Sequence, residues 1–574
     1  MRVTADERTQ HAATRVAETA CCARSPGLAA SARLREVVAP DYRGGMVDAA
    51  RTPVRDVVIV GGGHNALVAA AYLARAGRTV TVLERQDHVG GAAVSERPWA
   101  GIDARLSRYS YLVSLLPARI IADLGLDIAL TRRRYSSYTP DPADPSRGVL
   151  VDTGDAAATA ASFGRVTGST GEAERFAAFY DRISPVARTL FPTVTDPLPR
   201  RSAVRRRLGD DRLWNDLFEQ PLGAVLRSSL DSDIARGIAL TDALIGTFAS
   251  SDDPRLSQNR CFLYHVIGGG TGDWDVPIGG MGKVSGELER AARDAGAELR
   301  TDCEVTAVSP DGEVELAGGE RLHARLVLSG VGPAVLDQLL RAGGAVSTAP
   351  PAAPEGAQVK VNMLLRRLPR LRDSAVSPEA AFAGTFHINE TMTQLDDAYR
   401  AAAGGGIPDP LPAEIYCHSL TDPSILGPDL RASGAQTLTL FGLQVPHRLI
   451  AGSDRDAARS ALLDAAERSL DSVLAEPIRD VVFEAPDGTP CIEARTTADL
   501  EESLGMAGGD IFHGLLSWPW AGDDEDLDSP ARRWGVATAH ERVLLCGSGA
   551  RRGGAVSGIG GHNAAMAALE YLAD

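Results

Sequence analysis

The chain has 574 residues, 44% hydrophobic and 23% charged, ordinary globular usage that excludes collagen-like, coiled-coil and wholly disordered proteins and leaves room for about four structural units. Lys and Arg number 59 against 75 Asp and Glu, a net charge of −16 that argues against nucleic acid as a main partner. The seven cysteines are an odd number without a C-x-x-C pair, and neither an apolar leader nor a run of about 18 apolar residues occurs, so a reducing, cytoplasmic setting is expected.

Residues 1–53 are rich in Ala and Arg without an apolar period and read as a loosely ordered extension. Deleting residues 1–45 is expected to spare the fold, and Met46 is an alternative start to Met1. Val54 to Val60, dense in β-branched residues, reads as a buried parallel strand, Asn65 to Ala76 as a helix and Arg78 to Leu83 as the next strand, one βαβ unit. Between the first strand and the helix stands Gly61-Gly-Gly63-His-Asn-Ala66. Gly61 permits the tight turn, Gly63 lets a pyrophosphate approach the backbone, and small Ala66 lets helix pack on strand, with His64 and Asn65 at the helix start facing the anion. Glu84 follows about 20 residues on, where a carboxylate accepts ribose hydroxyls, with Arg85 beside it. Gly90-Gly91-Ala92 is a second close-approach turn, which a nicotinamide dinucleotide does not need and a longer dinucleotide does; FAD is the cofactor expected.

From about 155 to 260 the pattern is helical, with Leu, Phe and Trp at helical spacing. The run Arg200, Arg201, Arg205, Arg206 and Arg207, with Arg212 beyond, reads either as a solvated helix face or as a rim for peripheral contact with anionic lipid. Next come a helix Val284 to Ala295 and strands Ala297 to Val308, Glu313 to Leu316 and Arg325 to Ser329, with Val305 a candidate cofactor contact. Gly330-Val-Gly332 imitates a dinucleotide turn, but Pro333 follows and no ribose acid appears later, so it reads as a decoy for a second site. A Pro-rich linker, 349–356, leads into residues 357–366, which like 435–445 alternate as sheet strands do, and Ala457 to Leu474 is an amphipathic helix. The strand Arg542 to Cys546 opens the second strong glycine turn, running through Gly547, Ser548, Gly554, Gly558 and Ile559 to the helix at Asn563. Backbone N–H groups at such a helix start hold the anionic edge of a reduced flavin.

The segments Gly61 to Ala66, Asp275-Val-Pro-Ile-Gly-Gly-Met-Gly282, Gly508-Gly-Asp-Ile-Phe-His-Gly514 and Cys546-Gly-Ser-Gly-Ala550 resemble the phytoene-desaturase-like flavoproteins. The branch they look most like is the pyridine nucleotide-disulfide oxidoreductase domain-containing protein 2 group. The resemblance runs from about residue 54 to the end and implies an α/β fold: a discontinuous Rossmann-like FAD-binding domain with an inserted mixed-sheet plus helical substrate domain. The assignment is 54–130, 265–345 and 535–574 to the first and 131–264 and 346–534 to the second. Where that branch has His-Pro, this chain has Arg551-Arg552, charge that would stand near the flavin edge.

The expected activity is hydride removal from an apolar or amine-like small organic substrate into flavin N5. The alternatives are a polyene isomerase or ketolase on the same fold, or a flavin-binding scaffold without turnover. Lys360, one of only two lysines, opens a strand as a lysine does in the distantly related flavin amine oxidases, where it holds a water near flavin N5; an exposed strand end is the alternative reading. His513 is a candidate acid/base or cavity wall, while His64 and His562 read as backbone or phosphate contacts and Lys283 as solvated. No His, Cys or Asp cluster has metal-ligand spacing, so no metal is expected.

Overall fold

The β-branched run Arg55–Val60 forms a strand at the centre of a parallel sheet. Val80–Leu83 and then Glu298–Arg300 extend the sheet on one side, Arg321–Ser329 and then Val543–Leu545 on the other, all parallel. The first half of Arg321–Ser329 also pairs antiparallel with Glu313–Leu316, which pairs with Val305–Val308. The computed structural model describes residues 54–346, 353–452 and 454–573. The expectations for residues 1–53, Met46 among them, and for residues 349–352 of the Pro-rich linker lie outside those residues.

Helices His64–Arg75, Met281–Asp294 and Ile559–Ala573 bury Leu67, Leu73, Val284, Leu288 and Ala564 with Val57, Ile59, Leu326 and Leu328 of the sheet. A Cβ on Gly561 would stand 1.9 Å from Asn65 O, so glycine there lets the first and last helices cross backbone to backbone. The expected single strand over 297–308 is two short strands, because Asp302 lies at φ 52, outside extended geometry.

A second, mixed sheet runs in the order Ile492–Thr496, Ala357–Leu365, Gln436–Pro446, Ala413–Tyr416, Thr385–Ile388, Tyr135–Asp141, Asp144–Asp152. All nine residues of Ala357–Leu365 are buried, so the strand is covered on both faces rather than alternating with solvent. The helical region holds seven α-helices, from Ala156–Thr167 to Ser257–Val266 inclusive, several started by side-chain caps: Asp155, Asp210 and Ser232 each accept a backbone N–H three residues on. Phe163, Phe179, Trp214, Phe218 and Phe262 form its core. Among the described residues no helix is long and apolar enough to cross a membrane.

Candidate active site

The carboxyl ends of three adjacent parallel strands carry glycine turns that meet: Gly61–Gly63, Gly330–Gly332 and Gly547–Ser548. A Cβ on Gly61 would lie 3.1 Å from Val331, and one on Gly547 would lie 2.5 Å from Gly330 O. Crevices at strand carboxyl ends are where open α/β sheets bind ligands. Here the turns open into a cavity of about 1080 Å³ whose further wall comes from the second sheet and the helical region, through Tyr111, Tyr180, His387, Glu414, Tyr416 and Phe441.

At the glycine end the first turn is held from behind. Glu84 Oε2 accepts the Gly62 N–H at 2.7 Å and Oε1 that of Gln86 at 2.9 Å, leaving its remaining lone pairs toward the cavity. Gly90 N–H donates to Gly62 O at 2.9 Å, and a Cβ on Gly91 would meet Gly63 Cα at 3.1 Å. Gly63, the residue before helix His64–Arg75, offers no side-chain cap, and a Cβ on it would meet no atom within 4 Å. His64 Nε2, Asn65 Nδ2 and His513 Nδ1 are buried atoms of the cavity wall without a hydrogen-bond partner among the described residues. Uncapped helix N–H groups, open space at Gly63 and three orphaned polar atoms fit a dinucleotide, which brings phosphates and hydrogen-bonding rings. Desolvation lowers both histidines to about 4, so each imidazole is neutral at pH 7.

The opposite end is acidic. Burial raises Glu414 to about 7, and burial with the neighbouring Glu414 raises Asp242 to about 8. The same two causes push Glu390 well above the ordinary carboxylate range. Arg133 lies over the Tyr416 ring, 5.7 Å from its centroid, and donates to Thr385 Oγ1 at 3.3 Å.

Residues 59–119 match the family of NAD(P)-binding Rossmann-like domains. An uncharacterized protein of Mycobacterium tuberculosis is 55% identical over 531 residues, 90% of this chain and 97% of that protein. Pyridine nucleotide-disulfide oxidoreductase domain-containing protein 2 of Rattus norvegicus is 30% identical over 563 residues, 89% of this chain and 93% of the rat protein. The chain belongs to that oxidoreductase family. A solved structure of wild-type putrescine oxidase bound to putrescine superposes with a TM-score of 0.54 at 17% identity, covering 91% of this chain and all of that one, which shows a shared fold. Membership of this family implies a flavin or nucleotide cofactor.

Of the cofactor contacts expected for the family member, Gly61, Gly63, His64, Asn65, Ala66, Glu84, Gly91, Ala92, Gly547, Ser548 and Gly554 line the cavity. The others stand behind it. Arg85 donates to the carbonyls of Glu502 and Ser503, Asn563 Nδ2 to Val194 O, and Gly90 to Gly62 O. Val305 packs in the hairpin core, Ile559 is fully buried, and a Cβ on Gly558 would press on Val68 at 3.0 Å. Gly330-Val-Gly332, expected to be a decoy, is a wall of this same cavity. The strand ahead of it was the usable signal: a glycine turn at the end of a neighbouring parallel strand must face the first one.

The two arginines that replace His-Pro turn away from the cavity. Arg552, 1% exposed and at φ 64, donates to Thr193 O and Asp196 O, while Arg551 pairs with Glu525 and donates to Trp520 O. Their side chains tie the last glycine turn to other segments rather than line the cavity. His562 is likewise buried, its Nδ1 on Asn563 Oδ1. Lys360 is not an exposed strand end: 4% exposed, its Nζ donates to Ser107 O at 2.9 Å and Tyr109 O at 3.0 Å and sits 4.6 Å from the Tyr111 ring centroid. It braces from behind the Tyr109–Tyr111 segment that lines the cavity. Lys283 pairs with Glu287 and Asp127 at the surface. In the arginine run, Arg201 pairs with Glu219, Arg205 with Asp211, and Arg200 donates to Gly522 O and Glu525 O.

Proposed function

We propose that this chain is an FAD-dependent oxidoreductase of dehydrogenase or desaturase type that takes hydride from an apolar or amine-like small organic substrate. One observation carries the reading: three glycine turns at neighbouring strand ends share a single cavity that continues into an aromatic wall. Its volume of about 1080 Å³ exceeds the roughly 300–1,000 Å³ of ordinary small-molecule sites, which supports a dinucleotide together with a substrate. The second close-approach turn at Gly90 and Gly91 supports FAD over a nicotinamide dinucleotide.

Gly63 and the start of helix His64–Arg75 would hold the pyrophosphate and Glu84 the ribose, while His64, Asn65 and His513 offer polar atoms to the remainder. FAD, when bound, supplies the hydride acceptor. His513, neutral at pH 7, orients a partner by hydrogen bonding rather than by charge. Lys360 acts as a positioning residue, fixing Tyr109 and Tyr111 through two carbonyls. Tyr111, Tyr416, Phe441 and Phe512 keep the substrate end dry. The division of the chain into a cofactor domain (54–130, 265–345, 535–574) and a substrate domain (131–264, 346–534) is part of the same proposal.

Anaerobic absorbance of the purified protein tests the reading. A yellow protein whose flavin bands bleach with either lipid-like or amine donors is expected. A colourless protein that never takes up added FAD overturns it.

A further inference from the structure

The acidic end of the cavity contains a group of side chains that hydride transfer does not use. His387 belongs to strand Thr385–Ile388 and Glu414 to its antiparallel neighbour Ala413–Tyr416, where the two are direct Cα partners and so project from the same face. After Ile388 the chain turns through Asn389 at φ 57 and returns Glu390 to that face. Helix Asp233–Thr241 clamps the return, for a Cβ on Gly237 would stand 1.8 Å from Glu390 O. One ligand atom each from His387, Glu390 and Glu414 then lies within 4.8 Å of the other two, and the three residues are 4%, 1% and 2% exposed.

Two of these side chains are already aimed. Thr139 Oγ1 lies 3.0 Å from His387 Nδ1, which leaves Nε2 as the free ring nitrogen. Glu414 accepts from the Tyr416 hydroxyl and from Thr241 Oγ1 at 3.3 Å. Glu390 is different: neither carboxylate oxygen has a hydrogen-bond partner among the described residues, although the side chain is buried and directed at the other two. Thr241 Oγ1 lies 3.3 Å from Glu414 and has a single hydroxyl proton, so it serves at most one of the two carboxyl groups. A buried carboxyl without a hydrogen-bond partner is either kept neutral or paired with a cation. Arg133, the cation beside this group, makes no ion pair with Glu390, Glu414 or Asp242 among the described residues.

We propose that His387, Glu390 and Glu414 bind one divalent transition-metal cation at the cavity wall. Ligand bonds of about 2.0–2.2 Å put tetrahedral donors about 3.3–3.6 Å apart, so side-chain shifts of about 1 Å close the group into a site. One imidazole with two carboxylates suits Mn²⁺, Fe²⁺ or Zn²⁺ rather than the all-oxygen preference of Mg²⁺ and Ca²⁺. Two positive charges offset the two glutamates, and Thr139 fixes the imidazole as a partner of a metal-bound histidine does. His387 and Glu414 line the cavity, so an ion has a route in, and three protein ligands leave a coordination position open toward a substrate oxygen or nitrogen.

Chelator-stripped, full-length protein is dialysed against Mn²⁺, Zn²⁺, Mg²⁺ or 1,4-diaminobutane in separate arms, with ion content read by elemental analysis and Mn²⁺ also by its electron paramagnetic signal. The expected result is one Mn²⁺ or Zn²⁺ per chain, an affinity at least tenfold weaker in Glu390→Gln and in His387→Ala, and about tenfold weaker in Thr139→Val. Glu390→Gln keeps the shape and, like the neutral carboxyl of the metal-free protein, carries no charge, so it folds; its unchanged melting temperature without metal, beside a metal-dependent rise confined to the parent, separates lost ligation from lost structure. Absence of a stoichiometric ion in the parent, or equal binding by parent and Glu390→Gln, overturns the site. Binding of the diamine with none of the metals also overturns it and assigns the carboxylates to an organic cation.

Discussion

At Lys360 the solvent shell of an ammonium has been exchanged for two carbonyls and an aromatic face. Burial is the larger influence and lowers the group to about 7, with Glu493 opposing and Arg108 reinforcing. Tyr111 and His418 are the other titratable groups facing it. The unfolded chain holds this proton up to about pH 10.5, so between pH 7 and that value the unfolded state binds more protons and the parent gains stability as pH rises. The neutral amine still has two N–H donors, one for Ser107 O and one for Tyr109 O. Lys360→Met leaves both carbonyls without that donor, a cost of about 1–3 kcal/mol. The expected outcome is a destabilisation that is larger at pH 9 than at pH 6, measured as urea midpoints of parent and variant at both values. An equal cost at the two pH values would show that the buried lysine keeps its proton throughout.

Within single elements, glycine turns respond to substitution according to what lies beside them. Gly63 has φ −67 and open space where its Cβ would go, so Gly63→Ala leaves the melting temperature of cofactor-free protein within about a degree while lowering FAD retention at least tenfold on gel filtration. Gly547→Ala forces a Cβ to 2.5 Å from Gly330 O and is expected to cost fold and cofactor together. Full FAD retention in Gly63→Ala would remove the phosphate from that turn. These turns were legible because local spacing, strand before and helix after, is all they need. The hairpin Tyr135–Asp152 was not, since Pro140, Asp141 and Asp144 interrupt its apolar pattern and its partner strand is about 245 residues away. The group of His387, Glu390 and Glu414 was illegible for a related reason: strand pairing, rather than any sequence spacing, brings Glu414 opposite His387. The alternative reading of Lys360 as an exposed strand end failed because a strand buried on both faces reads like one that alternates when its polar residues are themselves buried.

Across the whole molecule, the cavity is assembled from segments that the chain visits at Gly61–Ala66, Tyr109–Leu112, Gly330–Gly332, His387, Phe512–His513 and Gly547–Ser548. A ligand seated there couples both sheets, and its binding free energy adds to the stability of every segment it touches. At a free concentration 100-fold above Kd that addition is about 2.7 kcal/mol. FAD added to cofactor-free protein is therefore expected to raise the melting temperature in a concentration-dependent way and to slow amide hydrogen exchange around 330–332 and 512–513 as well as around 61–66. Protection confined to residues 59–119, the span that matches an isolated dinucleotide-binding domain, would place the ligand on that unit alone and separate it from the shared cavity. The same experiment on Gly63→Ala should lose protection in all three regions together, because a single bound molecule links them; loss at 61–66 alone would mean that the three turns bind independently.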